Sequence, residues 1–583
     1  MTTPLVGIDL GTTHSVVAVY EDLPDGTRGP RILADPLGHT LIPSVVAEAD
    51  DGSLLVGPSA RERLTAKASS GIARFKTELG SPRGARLGGE DLDPVQLSAL
   101  VLGHMKSIAE AALGQPVSEA VVTIPAWFKE PQRQATITAG TLAGLEVRRV
   151  LHEPTAAAIA WGLHDPDAER TLAVLDLGGG TFDVTLLEVF DGVVEVLSTA
   201  GDTHLGGEDF TDVLQRHALE HLGITGEGLS PTQRGVLRHR CEQAKRRLSE
   251  AIGTELVLPH PDGHDVPWTV SRVQLDGWLG GHIGRIRGCV REALVQAKVR
   301  PADVDDVLLV GGATRTPAVR TVAGELFDKP PRADLDPDHV VALGAAVQAA
   351  LLANDHGVRD VVVTDILPFS LGTGITRRVH DQVLDDQFDP VLHRGTTLPA
   401  SRLVHYSTLH PGQREVQISV YQGEKRVASH NEKLGEILVE GLPTHTDDTL
   451  EGLSVRFTHD TNGLLQVEAT VDSTGATAET VVQRAGHDLV GTDLDDAVAA
   501  LQRLKIEPAE LLPNRFSLER GRRVFELIDA DHKELLDPVL LRYEGALQSG
   551  EPLAIAATRS DLDRVLQALV DRLDLDLDLR PLD

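Results

Sequence analysis

Two glycine-rich segments carry aspartate and threonine at the end of an apolar run, a combination that could bind a nucleoside triphosphate. They contain Asp9, Gly11, Thr12 and Thr13 in the first segment and Asp176, Gly179, Gly180, Thr181 and Asp183 in the second. Glycine lets backbone amides approach a phosphate, threonine hydroxyls donate to its oxygens, and aspartates hold hydrated Mg²⁺. One such run could be a plain tight turn, but a third turn at Gly311 and Gly312 favours a nucleotide site.

The sequence contains no GxxxxGK[ST] motif, which excludes a P-loop nucleotide site. Instead, both segments follow one plan, in which a β-branched strand, a glycine-rich turn and a second strand succeed one another. Residues 5–9 lead into 15–20, and residues 171–176 lead into 184–189. The two copies of this plan are spaced by about 170 residues, which predicts two related lobes with a cleft between them.

The pattern of apolar residues divides the chain into four parts. Strands alternate with helical segments such as 131–145, 237–248 and 340–352, which predicts an α/β domain over residues 1–357. Residues 358–367 form a predicted linker. Short runs of period two predict an all-β domain over 368–485, and helical spacing returns over 486–583, which ends in an acidic tail.

Composition excludes several classes of function. The chain has 583 residues, and 55 Lys and Arg against 87 Asp and Glu give a net charge of −32, which disfavours nucleic acid and anionic membranes. The two cysteines exclude a disulfide scaffold and a cysteine-based zinc site. No secretion signal or membrane span is found, so a cytoplasmic protein is expected.

Several long motifs in register resemble the DnaK-type seventy-kilodalton heat-shock chaperone family. They are residues 7–15, 175–183, 201–209, 310–317 and 365–372, and the resemblance runs from about residue 4 to 482. Residues 364–372, 406–411 and 504–508 look most like the HscC-like branch. The resemblance implies an actin-like two-lobed α/β ATPase domain, an all-β sandwich that binds peptides and a short α-helical lid.

The resemblance also implies how ATP or ADP, Mg²⁺ and a monovalent cation such as K⁺ would be held. The residues near the phosphates would be Thr12, Thr13, His14, Gly179, Gly180, Thr181, Gly206 and Gly207. Further nucleotide-binding residues would be Gly11, Gly311, Gly312 and Asp338. Asp9, Asp176 and Asp183 would hold Mg²⁺ through water, and Lys76, Glu153 and Thr181 would act with them in hydrolysis. The nucleoside would contact Glu242, Lys245, Arg246, Ser249 and Arg315. Without the resemblance, the 242–249 helix reads as an ordinary charged surface helix.

Four residues match the family's relay between nucleotide and linker, namely Pro125, Arg133, Glu153 and Asp365. The resemblance implies that the linker docks on the ATPase domain in the ATP state. The alternative is a strand fixed permanently in place. His14 and His152 stand where bacterial relatives usually carry asparagine.

In the β domain, the residues in line with the family's peptide groove are Leu398, Tyr406, Leu409, Val416 and Ile418, although each could simply be core. The resemblance implies extended client peptides, a J-domain co-chaperone and a nucleotide-exchange factor as partners, and switching of the β domain by ATP. Two alternatives remain, a small-molecule kinase of the actin-like superfamily and a regulatory binding module with weak ATPase activity.

Overall fold

The computed structural model describes residues 4–482 and 517–573 with short gaps. The gaps are 24–25, 67–69, 82–83, 88, 163–168, 191–192, 226–227, 333–335, 354, 356–361, 380–381, 444–448, 461–463, 519, 523, 526–527, 529 and 550–551. The chain divides into two compact units, one of which ends at Phe369 while the other begins at Ser370. The first unit contains both glycine-rich segments.

The first lobe of this unit is built on a mixed sheet. The strands of this lobe, in the main sheet and outside it, are β1 (Leu5–Asp9), β2 (His14–Asp22), β3 (Arg28–Ile32), β4 (Ile42–Pro43), β5 (Val45–Glu48), β6 (Leu54–Val56), β7 (Gly71–Ala73), β8 (Ala85–Leu87), β9 (Glu90–Leu92), β10 (Glu119–Ile124) and β11 (Glu146–His152). The main sheet has the order β11, β10, β1, β2 and β3, with β1 parallel to β10 and antiparallel to β2. Consecutive residues of β1 and β2 are buried, which indicates that both faces of the sheet are covered.

The second lobe repeats this arrangement. Its strands are β12 (Arg170–Leu177), β13 (Phe182–Phe190), β14 (Val193–Asp202), β15 (Gly253–Pro259), β16 (Asp265–Ser271), β17 (Asp306–Val310) and β18 (Val362–Thr364). The main sheet has the order β17, β12, β13, β14 and β18, with β12 parallel to β17 and antiparallel to β13. Because β12 has the same kinds of neighbours as β1, the predicted duplication is confirmed by the topology.

Ten helices cover the two sheets in the described part of the first unit. They are α1 (Pro58–Ala66), α2 (Pro94–Leu113), α3 (Glu130–Leu142), α4 (Glu153–Gly162), α5 (Gly207–Leu222), α6 (Pro231–Glu250), α7 (Arg272–Trp278), α8 (Gly280–Ala297), α9 (Pro317–Phe327) and α10 (Val340–Leu352). The bounds of α10 are as predicted, whereas α3 ends three residues before the predicted Leu145. Helix α10 lies directly on β1, because a Cβ at Gly7 would stand only 2.2 Å from the backbone nitrogen of Ala346.

Residues 362–364 of the predicted linker form the edge strand β18. It pairs in parallel with β14, with Val362 opposite Val193 and Thr364 opposite Glu195. The Thr364 hydroxyl donates to the Val194 carbonyl at 3.4 Å. The polar side chain that interrupts the apolar linker is therefore used in docking.

The second unit begins with an all-β module, as predicted. Its strands are β19 (Leu371–Val379), β20 (Gln382–Leu392), β21 (Ala400–Ser407), β22 (Glu415–Gln422), β23 (Glu432–Glu440), β24 (Gly452–His459), β25 (Leu465–Val471) and β26 (Thr477–Val482). They form two four-stranded antiparallel sheets, in the orders β20-β19-β22-β23 and β21-β24-β25-β26. Buried side chains alternate along β22, as expected of a sheet with one face in a core.

Two further helices, α11 (Ala530–Ser549) and α12 (Pro552–Leu573), follow in the C-terminal part. Leu562 and Leu566 of α12 are fully buried in a cluster with Tyr543 of α11, which agrees with the predicted helical spacing. The helical run predicted around Val498 to Leu504 lies outside the described residues. None of the helices in the described ranges has the length and hydropathy needed to cross a membrane.

Candidate nucleotide site

A cavity of about 350 Å³ lies between the two lobes of the first unit. Its lining includes nineteen residues that sequence reasoning singled out, namely Asp9, Gly11, Thr12, Thr13, His14, Lys76, Glu153, Asp176, Gly179, Thr181, Gly207, Glu242, Lys245, Arg246, Ser249, Gly311, Gly312, Arg315 and Asp338. Gly180, Gly206 and Asp183 lie outside this lining. The three glycine-rich turns therefore meet at one space, although they are far apart in sequence.

The turn between β1 and β2 supplies hydroxyl groups. Ser44 holds this turn from behind, because its hydroxyl donates to the Gly11 carbonyl at 2.7 Å and its amide donates to the Thr13 carbonyl at 2.9 Å. Among the described residues, the buried Thr13 Oγ1 finds no hydrogen-bond partner. A buried hydroxyl without a partner is costly, and a phosphate oxygen in the cavity would satisfy it.

The second-lobe turn is interlocked with the N-terminus of α5. The Gly207 amide donates to the Gly178 carbonyl at 2.9 Å, and the Glu208 amide donates to the Gly179 carbonyl at 2.8 Å. A Cβ at Gly179 would stand 1.9 Å from Thr13 Oγ1, so only glycine permits this approach of the two lobes. The positive end of the α5 dipole thus faces the cavity that the turns enclose.

Five charged groups form a buried cluster at one side of the cavity. Lys76 Nζ lies 2.7 Å from Glu153 Oε1, and the Thr123 hydroxyl donates to Asp9 Oδ1 at 3.0 Å. Burial, and then the charge of Glu153, raises the pKa of Asp9 to about 7 and that of Asp183 to about 8. The pKa of Asp176 is raised well above its usual range by the same causes.

Carboxylates that are buried together favour the binding of a cation, because a positive charge offsets both their desolvation and their repulsion. Mg²⁺ is coordinated by oxygen ligands and commonly retains water, so Asp9, Asp176 and Asp183 fit it. When bound, Mg²⁺ neutralises phosphate charge. Lys76 supplies the fixed positive charge that this chain itself brings to the cluster.

Helix α6 presents a charged face to the opposite side of the cavity. Glu242 accepts hydrogen bonds from the Thr211 hydroxyl at 2.6 Å and from Arg246 Nε at 2.8 Å, and Lys245 Nζ lies 2.6 Å from its carboxylate. Burial would raise the pKa of Glu242, but Lys245 and these hydrogen bonds lower it to about 2. Glu242 is therefore an ionised acceptor within the cavity.

Arg315 faces this helix across the cavity. Its Nη2 atom lies 2.8 Å from Asp338 Oδ2 and 2.7 Å from Asp336 Oδ1. Two carboxylates thus fix the orientation of a planar guanidinium, which can stack on an aromatic base. Close by, a Cβ at Gly312 would stand 2.8 Å from Asp338 Oδ1, so a larger residue at this turn would displace the carboxylate that holds Arg315.

His14 lines the cavity as a neutral imidazole. Burial lowers the pKa of His14 to about 3, and the charges of Arg61 and Arg246 lower it further. Sequence reasoning missed other lining residues, among them Glu208 and Pro337. Glu208 directly follows Gly207 in the 201–209 motif, so the sequence could have indicated it. The position of Pro337 is shown only by the folded chain.

The predicted relay residues lie behind the acidic cluster. Pro125 directly follows β10, and the Ala126 amide next to it hydrogen-bonds to the Asp183 carboxylate. Arg133 lies on α3, where its Nη1 atom is 3.5 Å from Glu130 Oε1. Asp365 follows β18, and its Oδ2 atom lies 2.7 Å from Nδ1 of His152.

His152 and Glu153 therefore face two different partners. His152 is the last residue of β11 and Glu153 is the first residue of α4. Glu153 binds Lys76 in the cavity, whereas His152 binds Asp365 beside the linker strand. A single strand-to-helix junction thus joins the nucleotide cavity to the linker.

The five residues predicted for the peptide groove lie in different environments in the β module. Leu398 and Ile418 are buried, and Val416 is half-buried two residues before Ile418 on β22. The Tyr406 hydroxyl donates to Asp389 Oδ2 at 2.8 Å. Leu409 is 51% exposed, which makes it the most accessible of the five.

Comparison with known proteins identifies the family. The model of the family described as Hsp70 protein matches residues 5–84 and 83–510. The chain is 35% identical over 584 residues to the Chaperone protein DnaK of Thermotoga neapolitana, with 96% of this chain and 95% of that protein covered. It is 37% identical over 569 residues to the Heat shock cognate HSP70 protein of Trypanosoma brucei brucei, with 90% and 81% covered.

The chain belongs to the Hsp70 family. It is an ATP-dependent molecular chaperone, and its enzymatic activity is the hydrolysis of ATP. The comparisons give no support to the kinase alternative.

Proposed function

We propose that the cavity binds Mg-ATP, and that the first unit is an actin-like ATPase domain extending to about residue 357. Thr12, Thr13 and Thr181, together with the backbone amides of the glycine turns, bind the phosphates. Asp9, Asp176 and Asp183 hold Mg²⁺ through water and can also accommodate K⁺. Glu242, Lys245, Arg246 and Ser249 bind the nucleoside on one side, and Arg315 stacks on the base from the other.

Hydrolysis in this proposal relies on positioning and charge. Water attacks the γ-phosphorus, the bond to the bridging oxygen breaks, and negative charge develops on the phosphoryl oxygens. Lys76 stabilises this charge, while Glu153 and Thr181 orient the attacking water. The 2.7 Å contact between Lys76 and Glu153 supports these roles, since it holds the ammonium group at a fixed point of the cavity wall.

We further propose that the linker, residues 358–367, reports the state of the nucleotide to the β module. The observation that carries this proposal is the junction of His152 and Glu153, which contacts Asp365 on one side and Lys76 on the other. A shift of Glu153 toward bound ATP moves the neighbouring His152, and so changes how firmly the linker docks. Pro125 and Arg133 flank this path.

The β module, residues 368–485, is proposed to bind extended apolar peptides, with residues 486–583 as a short helical lid. Leu409 and Val416 are the accessible apolar residues of the predicted groove, and Leu398 and Ile418 support them from the core. ATP opens the module and hydrolysis closes it on the client. A J-domain co-chaperone and a nucleotide-exchange factor would regulate this cycle in the cytoplasm. The HscC-like branch stays a prediction.

Peptide-stimulated ATP turnover tests this proposal. An extended peptide with a central leucine is expected to accelerate hydrolysis, and the same peptide with aspartate at that position is not. Leu409→Asp should weaken the stimulation. Leu438→Asp, at a position on β23 that is 52% exposed, is the matched control and should not. Stimulation only by a small polar acceptor, with a phosphorylated product, would contradict a chaperone cycle.

A further inference from the structure

The turn of the β15–β16 hairpin brings together two imidazoles and a carboxylate that have no part in the nucleotide cavity. His260, Asp262 and His264 each offer a ligand atom, and these atoms lie within 4.8 Å of one another. The two imidazole rings have centroids 4.5 Å apart and are tilted by 35°. His260 Nδ1 lies 3.3 Å from Asp262 Oδ2.

These separations are close to those required for shared coordination of one ion. Bonds of about 2.0 to 2.2 Å in a tetrahedral zinc site place neighbouring ligand atoms about 3.3 to 3.6 Å apart. The contact between His260 and Asp262 already meets this spacing. The exposed Asp262 and His264 side chains can rotate by the remaining distance, since no packed core surrounds them.

The hairpin holds the backbone of the three residues in place. Strands β15 and β16 pair along their full length up to Pro259 and Asp265, and the His260 amide donates to the His264 carbonyl at 3.2 Å. The Gln233 side chain of α6 donates to the His260 carbonyl at 2.8 Å. The Asp262 amide donates to Nδ1 of His260 at 3.3 Å, and a metal ion bound at Nδ1 would replace this hydrogen bond.

We propose that His260, Asp262 and His264 form a surface site for one divalent transition-metal ion of the zinc type, bound by two imidazole nitrogens and one carboxylate oxygen. This ligand set favours Zn²⁺, Co²⁺, Ni²⁺ or Cu²⁺ over Mg²⁺, which prefers oxygen ligands alone. Three protein ligands leave positions for water. The net charge of −32 further attracts a cation to the surface.

The site is separate from the Mg²⁺ proposed for hydrolysis, because none of its three residues lines the nucleotide cavity. Neighbouring Asp265 lies 3.4 Å from Arg240 of α6, which marks it as the partner of that arginine rather than a fourth ligand. Binding would close the turn and tie its two ends together. Zinc should therefore slow amide hydrogen exchange at the turn.

Calorimetric titration of the full-length, untagged, metal-stripped protein with Zn²⁺ in the presence of excess Mg²⁺ tests the site. The double variant His260→Ala/His264→Ala is compared with the control His410→Ala/His430→Ala, which removes two exposed histidines of the β module. We expect one zinc equivalent to be lost, or its affinity to fall by about tenfold or more, in the first variant only. Co²⁺ absorption should change in parallel.

Asp262→Asn should weaken zinc binding to a smaller extent, since one of three ligands loses its charge. Unchanged ATP turnover of the hairpin variants without zinc would show that the fold is intact. Two results would overturn the proposal, namely equal zinc isotherms for the wild type and the hairpin double variant, or zinc binding that leaves hydrogen exchange at residues 260–264 unaltered.

Discussion

The cavity of the first unit and the peptide groove proposed for the β module are lined by different chemical groups. The cavity is lined by backbone amides, hydroxyls and paired charges that project from turns at strand ends. The β module offers apolar side chains, and of these Ile418 is buried whereas Leu409 is 51% exposed. The polar groups that line the cavity are not needed to build a hydrophobic core. In the β module, by contrast, apolar residues build the core as well as part of the surface. We therefore expect substitutions in the cavity to change ligand binding with little loss of stability, whereas substitutions in the β module can change both.

The largest effect is expected from Lys76→Ala. Removing the lysine that pairs with Glu153 in the acidic cluster should lower the rate of ATP hydrolysis by about 100-fold or more, because the negative charge of the transition state loses its stabiliser. ATP affinity should change little. Single-turnover hydrolysis with a separate binding titration measures both, and the control is Lys106→Ala on α2, where the half-buried lysine donates to the Gly144 carbonyl and does not line the cavity. A full hydrolysis rate in Lys76→Ala would refute its catalytic role.

In the β module the comparison predicts a change in stability instead. Ile418→Ala should lower the free energy of unfolding by about 2 to 5 kcal/mol, because it leaves a cavity in a well-packed core. Leu409→Ala should change it by less than about 0.5 kcal/mol, since the side chain is half-exposed. Urea unfolding monitored in the β module tests the pair. Equal losses would show that Leu409 is also core.

The approach of the two lobes is tested by Gly179→Ala. The added methyl group would stand 1.9 Å from Thr13 Oγ1 and must force the turns apart, so ATP affinity should fall by about tenfold. Gly103→Ala, on α2 with open space around the new Cβ, is the matched control. Unaltered ATP affinity in Gly179→Ala, measured by calorimetry, would argue against phosphate binding between these turns.

The same contrast explains which parts of the structure can be predicted from the sequence. That Asp9, Thr13 and Thr181 line one cavity could be predicted, because carboxylates, hydroxyls and glycines stand at close spacing in the two glycine-rich segments. The strands and α10 followed from periodicity. Whether Ile418 lines a groove or fills a core could not be deduced, because both roles place an apolar residue at every second position.

Contacts between residues that are far apart in sequence could not be predicted either. His152 was noticed only as a departure from the family pattern, and nothing local to it indicates that Asp365 would be its partner. That ion pair depends on how β11 ends and on where β18 docks, which are properties of the whole sheet. The side chains of His260, Asp262 and His264 differ in this respect, because they lie within one hairpin and their proximity depends on local structure.

The smallest effect expected is a pH dependence of linker docking. Burial lowers the pKa of His152, but Asp365 more than offsets this and raises it above 6.5, while Arg133 and Asp183 act in opposite directions. The pKa of Asp365 is lowered below 3.8, despite its burial, by His152, the Ile366 amide and Arg149. The ion pair therefore stabilises docking fully between these values. Docking weakens as the pH rises through the raised pKa of His152.

Cleavage of the linker by a protease that is itself insensitive to pH should accordingly become a few-fold faster between about pH 6 and pH 8.5. His152→Asn should give a flat profile, because asparagine does not titrate over this range. Superimposable pH profiles for the wild type and His152→Asn would show that His152 does not contribute to linker docking.

The most direct test of the central claim, that the nucleotide cavity controls the linker, is amide hydrogen exchange of residues 362–364 with Mg-ATP and with Mg-ADP. We predict slow exchange with Mg-ATP, because β18 stays paired with β14, and faster exchange with Mg-ADP. Identical exchange with both nucleotides, in a protein shown to bind each of them, would contradict the claim.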